Sequence, residues 1–115
     1  MRLLRGTPVV PVVRLTGPIG ISTPFSSSIT LANTAKLLDR AFAIKSAKAI
    51  ALVINSPGGS AVQSHLIHQR IRLLAKESDK KVIAFVEDVA ASGGYMITCA
   101  ADEIIVDPSS IVGSI

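Results

Sequence analysis

Residues 49–54, AIALVI, carry apolar side chains on both faces of any extended strand they form, and this limits the fold more than any other stretch. A strand with one wet face alternates apolar and polar residues; a parallel strand covered by helices does not. The run is therefore expected to be a central parallel strand. It ends in the turn-forming NSPGGS of 55–60, after which Val62, Leu66, Ile67, Ile71 and Leu74 fall on one stripe of a helix reaching about Lys76. A β-branched, apolar run at 82–86 follows. Strand, Gly-rich turn, helix and strand make one βαβ unit with a right-handed crossover, which brings the carboxyl ends of both strands to one sheet edge. The turn at 57–60 and the turn at 90–93 thus become neighbours across a long separation in sequence.

The rest of the chain fits around that unit. Val-rich residues 9–15 read as a strand, with Pro11 indicating an edge position or a strand start. Gly17, Pro18 and Gly20 end it, 21–28 reads as a Ser/Thr/Pro-rich loop, and Leu31, Ala35, Leu38 and Phe42 recur at helical spacing within 30–44. Lys36, Asp39 and Arg40 lie on that helix's polar side, and the basic connection 45–48 is a solvated one. Hydrophobic residues make up 49% of the chain against 17% charged, which supplies a core and excludes a disordered chain. The net charge of +4 comes from twelve Lys and Arg spread without a long run or interleaved aromatics, so a nucleic-acid groove is not expected. Cys99 has no partner for an internal disulfide, and its apolar helical context predicts a buried small side chain rather than a reactive thiol. No segment approaches the roughly 18 to 20 continuous apolar residues of a membrane-spanning helix. Pro8 and Pro11 interrupt the N-terminal apolar residues, so no targeting signal is read there. At the other end 111–115 stops in an apolar run without a polar tail, so 1–115 is expected to be the N-terminal part of one truncated domain.

Ser92 stands where the strand of 82–86 gives way, through an acidic pair and small residues, to Gly93, Gly94 and an apolar helix-length segment. A hydroxyl at a strand-to-helix turn faces a cleft together with the free N–H groups of the new helix, whose positive end favours developing negative charge. Ser92 is thus a candidate nucleophile, and helix capping is the alternative. Attack on an amide or ester carbonyl would create an oxyanion that the Gly58 or Gly59 amide and the Gly93 amide can share. Pro-Gly-Gly by itself is an ordinary turn; its weight comes from the second Gly-rich turn on the same edge. Neither a P-loop nor a dinucleotide-binding glycine motif occurs, so a phosphate cradle has no support. His65 and His68 stand three apart on the second helix, where a metal site or contact of His65 with Ser92 competes with a polar helical face or a subunit contact. The latter explains them adequately, and no metal is assigned. Glu87 and Asp88 read as capping or solvated loop residues, with a third triad member as the alternative.

INSPGGSA at 54–61, VEDVAASGGYM at 86–96, AADEI at 100–104 and SSIVGSI at 109–115 together resemble the S49 peptidase family of signal peptide peptidases. The resemblance implies an α/β spiral of βαβ units of the ClpP/crotonase type with a mostly parallel sheet. It further implies a serine endopeptidase with a Ser/Lys dyad, no cofactor, and assembly into ring-like homo-oligomers at or near a membrane or in the cytoplasm of a bacterium. Peptide or protein substrates, cleaved signal peptides among them, are implied as partners. By matching position, Ser92 corresponds to the nucleophile, Gly58, Gly59 and Gly93 to the oxyanion donors, and Ser114 to the serine that orients the catalytic lysine.

The base departs from that pattern. The family uses a lysine kept neutral by burial, supplied after the nucleophile or from a tandem copy of the domain. This chain has no lysine after Ser92. Lys80 and Lys81 begin the strand that Ser92 follows, some 20 Å away at the opposite edge. Lys36, Lys45, Lys48 and Lys76 belong to polar faces or connections. The base is thus expected outside these 115 residues, and the fragment alone is expected to be inactive. A ClpP-like Ser-His-Asp peptidase, a crotonase-like acyl-CoA enzyme and a non-catalytic oligomerisation module remain as alternatives.

Overall fold

The structure is a computed structural model and describes residues 9–20 and 28–113. Its elements are β1 (Val12–Thr16), α1 (Leu31–Ala43), β2 (Ala49–Ser56), α2 (Ala61–Ser78), β3 (Lys81–Ala91), α3 (Gly93–Thr98), β4 (Glu103–Val106) and β5 (Ile111–Gly113). The strands form one sheet in the order β1-β2-β3-β4, with β5 beside β3, and every named pair is parallel. This is the α/β, βαβ-based architecture expected, with 49–54 inside the sheet and the first strand, which starts just after Pro11, at its edge. The loop expected at 21–28 lies, apart from Ser28, outside the described residues.

Helix ends follow local chemistry. Thr30 and Asn33 form a reciprocal capping box on α1, and the Ser60 side chain accepts from Gln63 N–H at the start of α2. The ammonium of Lys80 donates to the Phe42 carbonyl at 2.8 Å and to that of Ile44, satisfying acceptors at the negative end of α1. Lys81 pairs with Glu103 at 3.0 Å. Both lysines thus stay at the amino end of β3, and eleven residues of strand at about 3.3 Å each put them farther from Ser92 than the 82–86 run alone implied.

The core lies between the sheet and the two long helices. Val13, Leu15, Ile50, Leu52, Ile54, Val82, Ala84 and Val86 meet Leu38, Ala41 and Phe42 of α1 and Ile67, Ile71 and Ala75 of α2. On the other face Val12 and Phe85 are exposed, and Val53 and Ile83 are half-buried. The two-sided helical cover expected of 49–54 is therefore present on one face only among the described residues.

The largest departure from the sequence reading is β3, which continues past Val86 to Ala91 instead of loosening at the acidic pair. Ile54 pairs with Val86 but Ser56 pairs with Ala90, so Glu87, Asp88 and Val89 stand against Asn55 alone. The Asn55 amide fills the irregularity, accepting from Val89 N–H and donating to the Asp88 carboxylate, each at 3.2 Å. Beyond β4, Asp107 and Ser110 close a turn on themselves, and the Ser110 hydroxyl donates to the Glu87 carbonyl at 2.6 Å. That places β5 along Val89 to Ala91. Asp102, from the AADEI segment, accepts from Val82 N–H at 2.8 Å and returns its own N–H to the Val82 carbonyl, which fixes where β4 starts.

Fully buried Ile71 and half-exposed Leu73 on α2 differ in what truncation removes. Ile71→Ala is expected to cost about 2 to 5 kcal/mol of unfolding free energy and Leu73→Ala less than about 0.5 kcal/mol, as read by urea denaturation.

Candidate active site

Ser92 occupies the sharp junction of β3 and α3 with φ 52° and ψ −119°, a left-handed conformation that few non-glycine residues adopt. Strain of this kind is held only where the surroundings over-determine it, and it clusters at functional turns. Two backbone bonds do so here: Ser92 N–H donates to the Gly113 carbonyl at 2.9 Å, and the Ser92 carbonyl accepts from Met96 N–H at 3.0 Å. The side chain makes no capping bond. The hydroxyl is exposed and free to face the cleft, so helix capping does not account for this serine.

The diglycine turn packs directly on this junction. A β-carbon added to Gly58 would lie 2.8 Å from the Ser92 β-carbon and 2.9 Å from Gly93 N, and Gly58 has φ +101° besides. Gly59 has φ +149°, and a β-carbon there would run into the Ile19 carbonyl. That carbonyl is committed to Ser60 N–H at 2.7 Å, while Ile19 N–H donates to the Gly58 carbonyl at 2.9 Å. The segment after β1 thus pins the turn from one side while Ser92 abuts it from the other. Two more close approaches complete the fit. A side chain on Gly93 would strike the Ser64 hydroxyl of α2, and one on Gly94 would lie 2.6 Å from the Ser56 carbonyl.

The two turns meet, but the donors are not equivalent. Gly58 N–H donates to the buried Ser56 hydroxyl at 3.1 Å. Gly58 contributes closeness, and Gly59 is the member of the pair whose N–H has no acceptor among the described residues. Gly93, first residue of α3, likewise has an N–H without an intrahelical partner. Ser114 lies outside the described residues.

Ser92, Gly59 and Gly93 open into one cavity of about 470 Å³. His65 and His68 of α2 form part of its wall, and Tyr95, Met96 and Cys99 form another part. Cys99 is exposed, contrary to the buried position expected from its apolar neighbours, because α3 ends at Thr98 and Ile97 and Thr98 take the interior places. The neighbouring Cys99 thiol raises the Tyr95 phenol above its usual range. Burial, then the charges of His65 and Arg72, holds His68 below the ordinary imidazole range. Among the described residues no group of three His, Cys, Asp or Glu side chains is placed to hold a metal ion. Of the acidic pair, Glu87 faces Arg14 at 4.0 Å and Asp88 is bonded to Asn55; neither lines the cavity.

Residues 74–115 match the sequence profile of Peptidase family S49. Residues 74–115 carry the sequence pattern of that family. Over 107 residues it is 38% identical to the chloroplastic serine protease SPPA of Arabidopsis thaliana, a match covering 90% of this chain and 15% of that protein. A match of 63% identity over 107 residues links it to a Brucella melitensis protein named Na(+)/H(+) antiporter NhaA, covering 92% of this chain and 14% of that one. The chain thus spans about one-seventh of the length of these relatives. Among solved structures it is similar to a membrane-bound stomatin-specific protease, at TM-score 0.65 and 27% identity over 89% of this chain and 45% of that one. It is also similar to ClpP1 of Listeria monocytogenes, at TM-score 0.59 and 25% identity over 78% of this chain and 46% of that one. The fold is accordingly of the ClpP/crotonase type.

Glycine replacements separate backbone strain from collision. Gly17 has φ +100° with open space around it, so Gly17→Ala is expected to cost about 1 kcal/mol, the left-handed penalty alone. Gly59→Ala adds the clash with Ile19 and is expected to lower the thermal midpoint by at least twice as much. The depressed His68 gives a sign for pH. The unfolded chain binds the proton more readily, so stability is expected to fall as pH drops through about 6.5, the ordinary imidazole value. His68→Gln is expected to flatten that fall in melting curves taken across the same range.

Proposed function

We propose that this chain carries the nucleophile and oxyanion loops of a serine endopeptidase of the signal peptide peptidase type. The observation that carries the reading is the Ser92 hydroxyl on a strained strand-to-helix turn, in one cavity with Gly59 and Gly93, whose N–H groups have no acceptor among the described residues. The Ser92 oxygen attacks the peptide carbonyl carbon and its proton passes to the base. The carbonyl oxygen becomes an oxyanion received by the Gly59 and Gly93 N–H groups. The carbon–nitrogen bond then breaks, the amine leaves with the proton returned by the base, and water hydrolyses the Ser92 ester by the same steps in reverse order. Removing a donor of this kind costs on the order of a hundredfold in rate.

The base in this reading is a neutral lysine outside these 115 residues, held by Ser114. The bond from Ser92 N–H to the Gly113 carbonyl supports that assignment, since it ties the residue preceding Ser114 to the nucleophile. Lys80 is occupied at the end of α1 and Lys81 at Glu103, both at the far end of β3. We read 1–115 as the N-terminal part of a single peptidase domain. Phe85, Ile104, Ile105, Val106, Ile111 and Val112 are all exposed along the β3-β4-β5 edge, which supports burial of this edge in the whole, homo-oligomeric protein. Substrates are peptides or proteins, cleaved signal peptides included, and neither cofactor nor nucleic acid is involved. No helix among the described residues is long and apolar enough to cross a membrane, and association with one is assigned to parts outside this chain. The antiporter name of the Brucella relative is not carried over, because the shared stretch is 14% of that protein and includes the part matching the peptidase profile.

In the full-length protein Ser92→Ala is expected to abolish peptide hydrolysis and labelling by a serine-directed phosphonate. Unchanged hydrolysis would sink the reading. Turnover of an acyl thioester that survives Ser92→Ala would favour crotonase-type chemistry, which uses the same oxyanion donors without the nucleophile. A stable assembly that never labels would favour a scaffold.

A further inference from the structure

The cavity beside Ser92 has an unusual wall for a recess that is otherwise apolar. From α2 it receives the imidazoles of His65 and His68, separated by one helical turn and flanking the buried stripe of Ser64, Ile67 and Ile71. Opposite them α3 and the residue that caps it present Tyr95, Met96 and Cys99, while the diglycine turn adds Gly59 and α2 contributes its first residue, Ala61. The two helices are held close by the contact of Gly93 with Ser64, so the imidazoles stay within one cavity with the nucleophile.

Among the described residues no carboxylate lines this cavity. Farther along α2, Arg70 faces Asp39 at 3.8 Å, and Arg72 pairs with Asp102 at 3.4 Å and donates to the Ala100 carbonyl at 3.0 Å, so Asp39 and Asp102 are already committed away from the histidines. An imidazolium formed at position 65 or 68 thus has no internal counter-ion among the described residues. The partner with the right charge is one that arrives in the cavity with the substrate.

We propose that this cavity receives the substrate side chain beside the scissile bond, and that His65 and His68 set its preference: uncharged residues while both rings are neutral, Asp or Glu once one is protonated. This rests on the serine-peptidase reading of Ser92 and adds a specificity that changes with pH. With neutral rings, the thioether, phenol and ring faces suit an apolar side chain, and a bare carboxylate would lose its water without compensation. With one ring protonated, the carboxylate gains a charge-assisted hydrogen bond. Its presence in turn favours the charged ring, so acidic substrate and proton bind cooperatively. The low affinity of His68 for a proton in the empty site, caused by burial and by its cationic neighbours, is what an acidic side chain would relieve.

The test uses the full-length protein and two fluorogenic peptides that differ only in Leu or Glu before the cleaved bond. Glu stays ionised from pH 8 to 5.5, so any change in selectivity over that range comes from the enzyme. The ratio of kcat/KM for Glu over Leu is expected to rise about two- to fivefold from pH 8 to 5.5, the size of a half-exposed ion pair. In the His65→Gln/His68→Gln double variant the ratio is expected to stay flat. Being a ratio, it is insensitive to a general loss of activity. A wild-type ratio that does not rise overturns the proposal without any variant, and so does a rise that persists in the double variant. Failure of the underlying reading looks different: hydrolysis of both peptides would then survive Ser92→Ala.

Discussion

Everything at this site depends on two stretches of main chain lying closer together than side chains would allow. Gly58 faces Ser92 and Gly93 at a distance where a β-carbon would be within 3 Å of three atoms, and Gly59 meets the Ile19 carbonyl more closely still. Only glycine permits both the contact and the positive φ values. The reward is positional. The Ser92 oxygen and the N–H groups of Gly59 and Gly93 open into one cavity although they come from different ends of a βαβ unit. A fixed array of donors needs no reorganisation as charge develops, which is the source of its advantage over water.

The remaining structure restrains that contact. The Asn55 amide bridges the irregularity between β2 and β3, so that β3 can travel five residues beyond Val86 and deliver Ser92 to the diglycine turn. Ser110 bonds the Glu87 carbonyl at the same irregularity and sets β5 beside the last residues of β3. The Gly113 carbonyl then receives Ser92 N–H. The strained serine is therefore held by two segments distant in sequence, the diglycine turn and the end of β5. Its conformation reflects tertiary restraint, since α3 is too short to impose it.

Much of this was legible in the residues, and the parts that were not share a cause. Two apolar runs, a helical stripe and two Gly-rich turns were enough to place 57–60 beside 90–93, because parallel βαβ geometry leaves one arrangement. The extension of β3 was hidden because Glu87 and Asp88 resemble a loop; their strand pairing is made by an Asn side chain, which no period reports. β4 and β5 are four and three residues long and exposed, too short for alternation to register. Cys99 was misplaced because α3 stops one residue before it. Gly58 and Gly59 are alike in sequence, and the Ser56 hydroxyl distinguishes them only in three dimensions. The histidines gave a fainter signal: Ser64, Ile67 and Ile71 define the buried stripe of α2, and residues 65 and 68 border it, but which neighbour they border required the fold.

The account is tested most directly by a crystal structure of the full-length protein with a peptide aldehyde bound. It predicts a hemiacetal on the Ser92 Oγ whose oxygen lies about 2.7 to 3.1 Å from both the Gly59 and Gly93 nitrogens. An adduct whose oxygen faces solvent, or an aldehyde bound elsewhere with Ser92 unmodified, would contradict it.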